Sequence, residues 1–290
     1  MNLRLFKFLE DSPFVYHYTS MEALFSILEG YRPVVYTGSI PFRASCIYNA
    51  NDPREMELGF DVVKKYLPQF EMNNQNNMNL SEVYQDSSYK QYYLDKYHRK
   101  PINGMIQYGL VPYTISFSHK RDFLPMWSMY GNNCKGVCLK FNINRIKEIS
   151  VKRSHFDFVS YDGDKQYDVM EDHFALLYEL EAKKSNKTII IEEKKEILST
   201  CCLCVSPFIK SSDWSYEKEF RIVYNHNYEP ELEMKRVQRY VDYPINSIAL
   251  EEIIIGPSAN YQVMEHIIRN ELKECLLNSV TITPSLIEIT

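Results

Sequence analysis

Residues 214–224 read WSYEKEFRIVY, and their alternation decides the fold class. Side chains along an extended chain point to opposite faces in turn. That period puts Tyr216, Lys218, Phe220 and Ile222 on one face and Glu217, Glu219, Arg221 and Val223 on the other. The first face suits a core. The second carries two carboxylates two residues apart, with a guanidinium beyond them. Like charges this close raise one pKa unless a cation compensates, and Arg221 or Lys218 is expected to supply it. Taken alone, a Glu-x-Glu pair also reads as a charged strand face in water.

Two further stretches repeat the pattern of one apolar and one polar face. In VPYTISFS (111–118), Val111, Tyr113, Ile115 and Phe117 are apolar, while Thr114, Ser116 and Ser118 are small and hydroxylated. Small hydroxyls leave room for a ligand and bond its polar atoms. In FVYHYTS (14–20), Val15, His17 and Thr19 share a face and tyrosines take the other. A lone histidine in such a place serves structure as readily as chemistry. Three polar strand faces around residues 17, 116 and 217–219 together predict one cleft.

Around these strands the chain alternates irregularly. TSME (19–22) has capping-box spacing before an apolar stripe of Leu24, Ile27 and Leu28, and Gly30 is a natural stop. Short strands are expected at 34–36 and 41–43, then the loop YNANDPRE, then a helix from about Pro53 to about Tyr66. Residues 71–79 are rich in asparagine and read as a loop, and 81–97 read as a tyrosine-rich helix. Residues 56–108 thus form a helical insertion between strand-bearing parts. Further strands are expected at 136–141, 154–161, 236–241, 253–255 and 280–283. FLPMWSMYGNNCK reads as a short helix and a turn, 166–204 as two helices broken at KKSNKT, and 259–277 as an amphipathic helix. Strands and helices in this order predict α+β rather than a doubly wound sheet, as a single domain over 1–290.

Composition narrows the function classes. A net charge of -5 argues against a broad phosphate-binding surface while leaving room for a local basic groove. No apolar run approaches the length of a membrane span. The opening MNLRLFKFLED lacks the long apolar core and cleavage site of a signal peptide, so a cytoplasmic protein is expected. The 7 cysteines, three of them in CCLCVSPF, lack the paired spacing of a zinc site and read as buried thiols.

The order His17, then Ser116-Phe117-Ser118, then Glu217-x-Glu219 resembles the three-strand signature of ADP-ribosyltransferases. That superfamily carries an Arg or His on its first strand, a Ser-x-Ser or Tyr on its second and a Glu, often within Glu-x-Glu, on its third. His17 beside the other two motifs makes this chain a hybrid of its patterns. YHYTS followed by a helix is also similar to DNA-directed ADP-ribosylating toxins and RNA 2′-phosphotransferases. A closer resemblance, over nearly the whole chain, is to a bacterial family of uncharacterised proteins, domain of unknown function 2971. It is carried by YHYTS…IL, NDP-x-E (Asn51, Asp52, Pro53, Glu55), MWSMYG…GVCLKF (126–141) and W-x-x-E-x-E-x-R (214–221), in that order.

The ADP-ribosyltransferase resemblance implies a mixed or antiparallel sheet core, with NAD as the substrate and no metal. Glu219 is then the group that accepts the ribose 2′-hydroxyl and stabilises the oxocarbenium-like sugar left when the nicotinamide–ribose bond breaks. Glu217 orients or deprotonates the acceptor. His17 holds the adenosine-side ribose or backbone amides of the site, Ser116 and Ser118 shape the floor, and Trp127 or Tyr130 stacks on nicotinamide. Tyr18, Thr19 and Arg221 complete the expected NAD contacts. Trp127 and Tyr130 read equally as core anchors. Asn51, Asp52 and Glu55 belong to the rim, or else the NDP turn caps a helix. The acceptor is a nucleic acid or a protein, and a toxin or phage-defence effector is the implied setting. A non-catalytic nucleotide- or partner-binding module keeps the same cleft. An enzyme of the 2′-phosphotransferase type needs His17, Arg43, Arg121 and Arg221 to converge.

Overall fold

The computed structural model describes residues 12–32, 38–52, 54–73, 79–97, 110–149, 151, 154–161, 166–171, 175, 190–227 and 239–289. The strand expected at 34–36, Pro53, the end of the helical insertion at 98–108 and the break at KKSNKT lie outside them.

Among the described residues one sheet holds β1 (Phe14–Thr19), β2 (Ser39–Cys46), β3 (Leu110–Ser118), β4 (Val137–Asn142), β5 (Ser154–Phe158), β6 (Glu219–Asn227), β7 (Tyr240–Asn246), β8 (Leu250–Ile255) and β9 (Thr281–Pro284). The order across it is β5-β6-β3-β1-β4-β8-β9, with β2 joined to β3 and β7. The pairs are antiparallel except β8 with β9, so the sheet is mixed and open. Helices α1 (Met21–Tyr31), α2 (Glu55–Asn73), α3 (Tyr89–Tyr97), α4 (Leu124–Met129), α5 (Ile143–Lys147), α6 (Ile191–Val205) and α7 (Tyr261–Glu274) pack around it. The architecture is α+β.

The two faces of the sheet are covered differently, and this makes the cleft. One face buries Val15, Phe42, Ile115, Phe117, Leu139 and Phe220 together with Leu24 and Leu28 of α1 and Ile268 and Leu272 of α7. Each fully buried side chain of this kind contributes about 1.5–3 kcal/mol. The other face is covered in two patches. At the β6 end, Val223 meets a cluster built by α2, α3 and α6. At the β4–β8 end, Trp127 of α4 packs with Tyr16, Tyr18, Cys138 and Ile254. The polar strand residues fall between the patches.

Local sequence set the element starts better than their ends. The cap of α1 is Ser20, one residue past the Thr19 of the expected capping box, its hydroxyl accepting from the Ala23 amide at 3.1 Å, and α1 passes Gly30 to end at the buried Tyr31. α2 runs past the expected end near Tyr66 to Asn73, and through Pro68. Proline costs a helix interior bond, yet Phe60, Val63, Leu67 and Phe70 stay buried along one stripe and hold the helix together. Residues 81–97 are not one helix. A 3-10 turn over Leu80–Gln85 precedes α3, and Asp86 breaks the run by accepting from both the amide and the hydroxyl of Ser88.

The decisive stretch departs most from its expectation. β6 begins only at Glu219, and Ser212–Glu217 forms a 3-10 helix capped by Ser211. Lys218 joins the two with φ 46° and ψ 54°. That left-handed conformation turns the chain at a cost of order 1 kcal/mol for a residue with a Cβ. Tyr216 therefore does not sit on the core face of a strand, and Lys218 is exposed rather than a neighbour of the carboxylates.

All seven cysteines are buried and none is in a disulfide. Among the described residues no helix is long and apolar enough to cross a membrane.

Candidate active site

The sheet is split beside β3. β1 meets β3 at the pair Tyr16↔Ser118, and β2 meets it at Ser45↔Thr114 and Cys46↔Tyr113. Residues between those contacts keep β6 on their other side, where Ser116 pairs with Arg221 and Ser118 with Glu219. Residues paired directly across a sheet share a face. Thr114, Ser116, Ser118, Glu219 and Arg221 therefore point to the face left open between the two apolar patches. A cavity of about 240 Å³ opens there.

His17 enters this cavity from the other parity. Its ring lies edge-on to Phe42 and Phe117, 4.9 and 5.8 Å between centroids, and fills the split between β1 and β3. Its Nδ1 is 2.9 Å from the Ser116 carbonyl oxygen. A carbonyl only accepts, so Nδ1 carries the proton and Nε2 of the neutral ring is an acceptor. Burial lowers the His17 pKa more than the Ser116 carbonyl raises it, which keeps the ring neutral.

The cavity floor is an ionic cluster. Arg221 clasps Glu219 with Nε to Oε1 at 2.7 Å and Nη2 to Oε2 at 3.0 Å. The same guanidinium reaches Glu55 with Nη1 at 2.7 Å and Nη2 at 2.8 Å, and donates to the Pro207 carbonyl at 2.6 Å. Lys210 Nζ is 2.6 Å from Glu217 Oε2, 3.4 Å from Glu219 Oε2 and 3.6 Å from Glu55 Oε1. All five residues are buried. Tyr130 donates its hydroxyl to Glu217 Oε1 and accepts from Asn51 Nδ2 at 3.1 Å. The Glu219 amide donates to the Tyr161 hydroxyl at 3.1 Å.

The two carboxylates of the Glu-x-Glu pair are driven apart in acidity. Burial works to raise both. At Glu219 the attraction of Arg221 and Lys210, with a hydrogen bond from Ser116, overcomes it and holds the carboxyl well below the usual range. At Glu217 burial and the charge of Glu219 outweigh Lys210, and the pKa is raised. A pair of acids pushed apart in this way provides one fixed anion and one group able to carry a proton. For Lys210, burial opposes the charge but the surrounding carboxylates win, so its pKa is raised and the ammonium persists.

Most of the residues singled out from the sequence line the one cavity. His17, Tyr18, Ser116, Ser118, Tyr130 and Arg221 do so, as do Asn51, Glu55, Glu217 and Glu219. Glu55, expected at the rim, is part of the floor. Three others stand elsewhere. Trp127 is fully buried with its indole N–H on Asp122 at 2.8 Å, and it packs in the core rather than lining the cavity. Thr19 is not among the lining residues, because it ends β1 beyond the split. Asp52 is buried and accepts from the amides of Arg54 and Ser211, which gives it the capping role. Two lining residues have their hydroxyls committed to backbone. Tyr18 donates to the Lys120 carbonyl at 2.7 Å and accepts from the Phe123 amide at 2.9 Å. Ser118 donates to the Glu217 carbonyl at 2.6 Å, which pins the turn that delivers Glu217. Of the four basic residues whose convergence was in question, Arg121 stays outside the cavity, paired with Glu252 at 2.9 Å.

Lys210 was not picked out by sequence. It ends the apolar run CCLCVSPFI and stacks its ammonium 4.8 Å over the Trp214 ring, four residues on. A lysine closing a buried run just before W-x-x-E-x-E was the available signal, since only a partner carboxylate makes such a position tolerable.

Residues 126–222 match the model of a family described as Protein of unknown function (DUF2971). The chain is similar to that family over about a third of its length. The matched stretch contains Tyr130, Lys210, Glu217, Glu219 and Arg221, whereas YHYTS and NDP-x-E lie before it. No curated protein and no solved structure matches the chain.

Proposed function

We propose that the cavity cleaves the bond between nicotinamide and ribose in NAD, as an ADP-ribosyltransferase-like enzyme or NAD glycohydrolase. The supporting observation is the buried pair Glu217 and Glu219 facing one cavity with His17 and Ser116. When the C1′–N bond breaks, its electron pair leaves with nicotinamide and C1′ becomes an oxocarbenium centre. Glu219, kept ionised by Arg221 and Lys210, stabilises that charge without having to reorganise. Glu217, whose pKa is raised, takes the proton from the attacking water or acceptor hydroxyl as the new bond to C1′ forms. Neutral His17 offers Nε2 to a ribose hydroxyl. Tyr130 and Lys210 hold Glu217 in place.

A second reading is a nucleotide-binding module without turnover. It is favoured by the saturation of Glu219, whose oxygens already receive Arg221, Lys210 and Ser116. Incubation with NAD and chromatography of free nicotinamide separates the two. The transferase reading expects release by the wild type and a loss of about 100-fold or more in Glu219→Gln and in Glu217→Gln. No release by the folded wild type refutes it. Thermal stabilisation by NAD without release assigns the cavity to the binding module.

A further inference from the structure

Arg43 is a cation of the cavity wall that no carboxylate engages among the described residues. It lies on the cleft side of β2, since Phe42 and Ala44 are buried on the opposite side and Ser45 pairs with Thr114. Its guanidinium lies 4.7 Å from the centre of the Tyr240 ring. A cation–π contact of this kind leaves the guanidinium N–H groups able to bond a ligand. Asp242 is its cross-strand neighbour on β7, yet the two form no ion pair. Ser45, Asn49 and Thr114 line the same wall with side-chain donors that have no partner among the described residues. The other two cations of the cavity, Lys210 and Arg221, are spent on carboxylates.

β2 leaves β3 after the pair Ser45↔Thr114, while Ser116 stays paired with Arg221 and Ser118 with Glu219 on β6. Arg43 and Glu219 thus line the cavity from opposite sides of the split. The cavity is therefore polarised, with fixed negative charge at β6 and an open guanidinium at β2. A phosphate is repelled from the first end and suited to the second, where a planar fork accepts two of its oxygens.

We propose that Arg43, with Ser45, Asn49 and Thr114, is the subsite for the diphosphate of a dinucleotide whose glycosidic carbon lies against Glu217 and Glu219. This rests on the NAD reading above for the identity of the dinucleotide, but the anion subsite has a test of its own. Inorganic pyrophosphate is titrated into the wild type, Arg43→Ala and Arg43→Lys by calorimetry at low and high salt. The wild type binds, binding weakens with salt, and Arg43→Ala lowers affinity roughly 10- to 100-fold while Arg43→Lys retains part of it. Arg43 is exposed, so the melting temperature of each variant stays at the wild-type value. Absence of pyrophosphate binding by the wild type, or equal binding by Arg43→Ala, overturns the proposal.

Nicotinamide release from NAD by the same variants separates this inference from the reaction. The subsite raises KM in Arg43→Ala by a similar factor and leaves kcat close to wild type. Release with an unchanged KM sinks the subsite and leaves the reaction standing. Pyrophosphate binding that depends on Arg43, with no release from any form, sinks the reaction and leaves the anion subsite.

Discussion

Replacing Lys210 with methionine removes one of two cations from a buried cluster of three carboxylates. In the native cluster Glu217 and Glu219 are both within 3.4 Å of the ammonium, and Glu55 is at 3.6 Å. Arg221 already serves Glu55 and Glu219 through Nε, Nη1 and Nη2, and makes no bond to Glu217. Among the described residues, Glu217 is then left with the Tyr130 hydroxyl alone beside a second negative charge. Removing one partner of a buried ion pair costs about 3–5 kcal/mol, a large share of the roughly 5–15 kcal/mol that holds a domain folded. Lys210→Met is expected to lose that much at pH 7, measured by urea unfolding followed by far-UV circular dichroism. The second substitution Glu217→Gln removes the stranded charge and should restore about 1–3 kcal/mol in the Lys210→Met background. The pH dependence has a definite sign. In Lys210→Met the Glu217 pKa rises further above its unfolded value, because burial and the Glu219 charge lose the opposition of Lys210 and keep only that of the Tyr130 hydroxyl. A carboxyl with a raised folded pKa costs stability as pH climbs through that value, so the deficit narrows on going from pH 8 to pH 5. A loss below about 1 kcal/mol at pH 7, or a double variant no more stable than Lys210→Met, refutes the view that Lys210 neutralises Glu217.

Other expectations concern the scaffold. Gly59→Ala places a Cβ against the Cα, Cβ and Oγ of Ser206, where α2 crosses the end of α6. It should destabilise the protein by about 1–3 kcal/mol despite the better helix propensity of alanine, and a raised urea midpoint would contradict the close packing. By NMR, the His17 imidazole is expected to titrate below 6.5, since burial outweighs its bond to Ser116. A depressed histidine contributes stability that is complete above its unfolded pKa and is lost as pH falls through the folded one, and a His17 titration at or above 6.5 would remove it from the split.

Much of the scaffold was readable locally. The strand at VPYTISFS and the alternation inside it were legible because residues of one face are apolar and those of the other are small hydroxyls. The helix after β1 was legible from its apolar stripe of Leu24, Ile27 and Leu28, while its cap fell on Ser20, one residue past the expected Thr19. The start of β6 was not, because nothing in WSYEKEF announces that Lys218 adopts a left-handed conformation. The Glu-x-Glu pair still delivers both carboxylates to one place, by a turn rather than by strand alternation. Trp127 and Tyr130 read alike in the sequence. Only packing separated the buried indole on Asp122 from the phenol on Glu217.

The sequence by itself determined where polar and apolar side chains alternate, and therefore which strand faces had to be buried and which carried chemistry. That information is local, since it follows from the two-residue period of an extended chain. The tertiary structure decided the charge balance of the cavity. Glu55 reaches Arg221 from 166 positions away and Lys210 reaches Glu217 from the far side of a turn. Coulomb attraction in a buried site depends on distance through space and on the exclusion of water, and neither quantity is written along the chain.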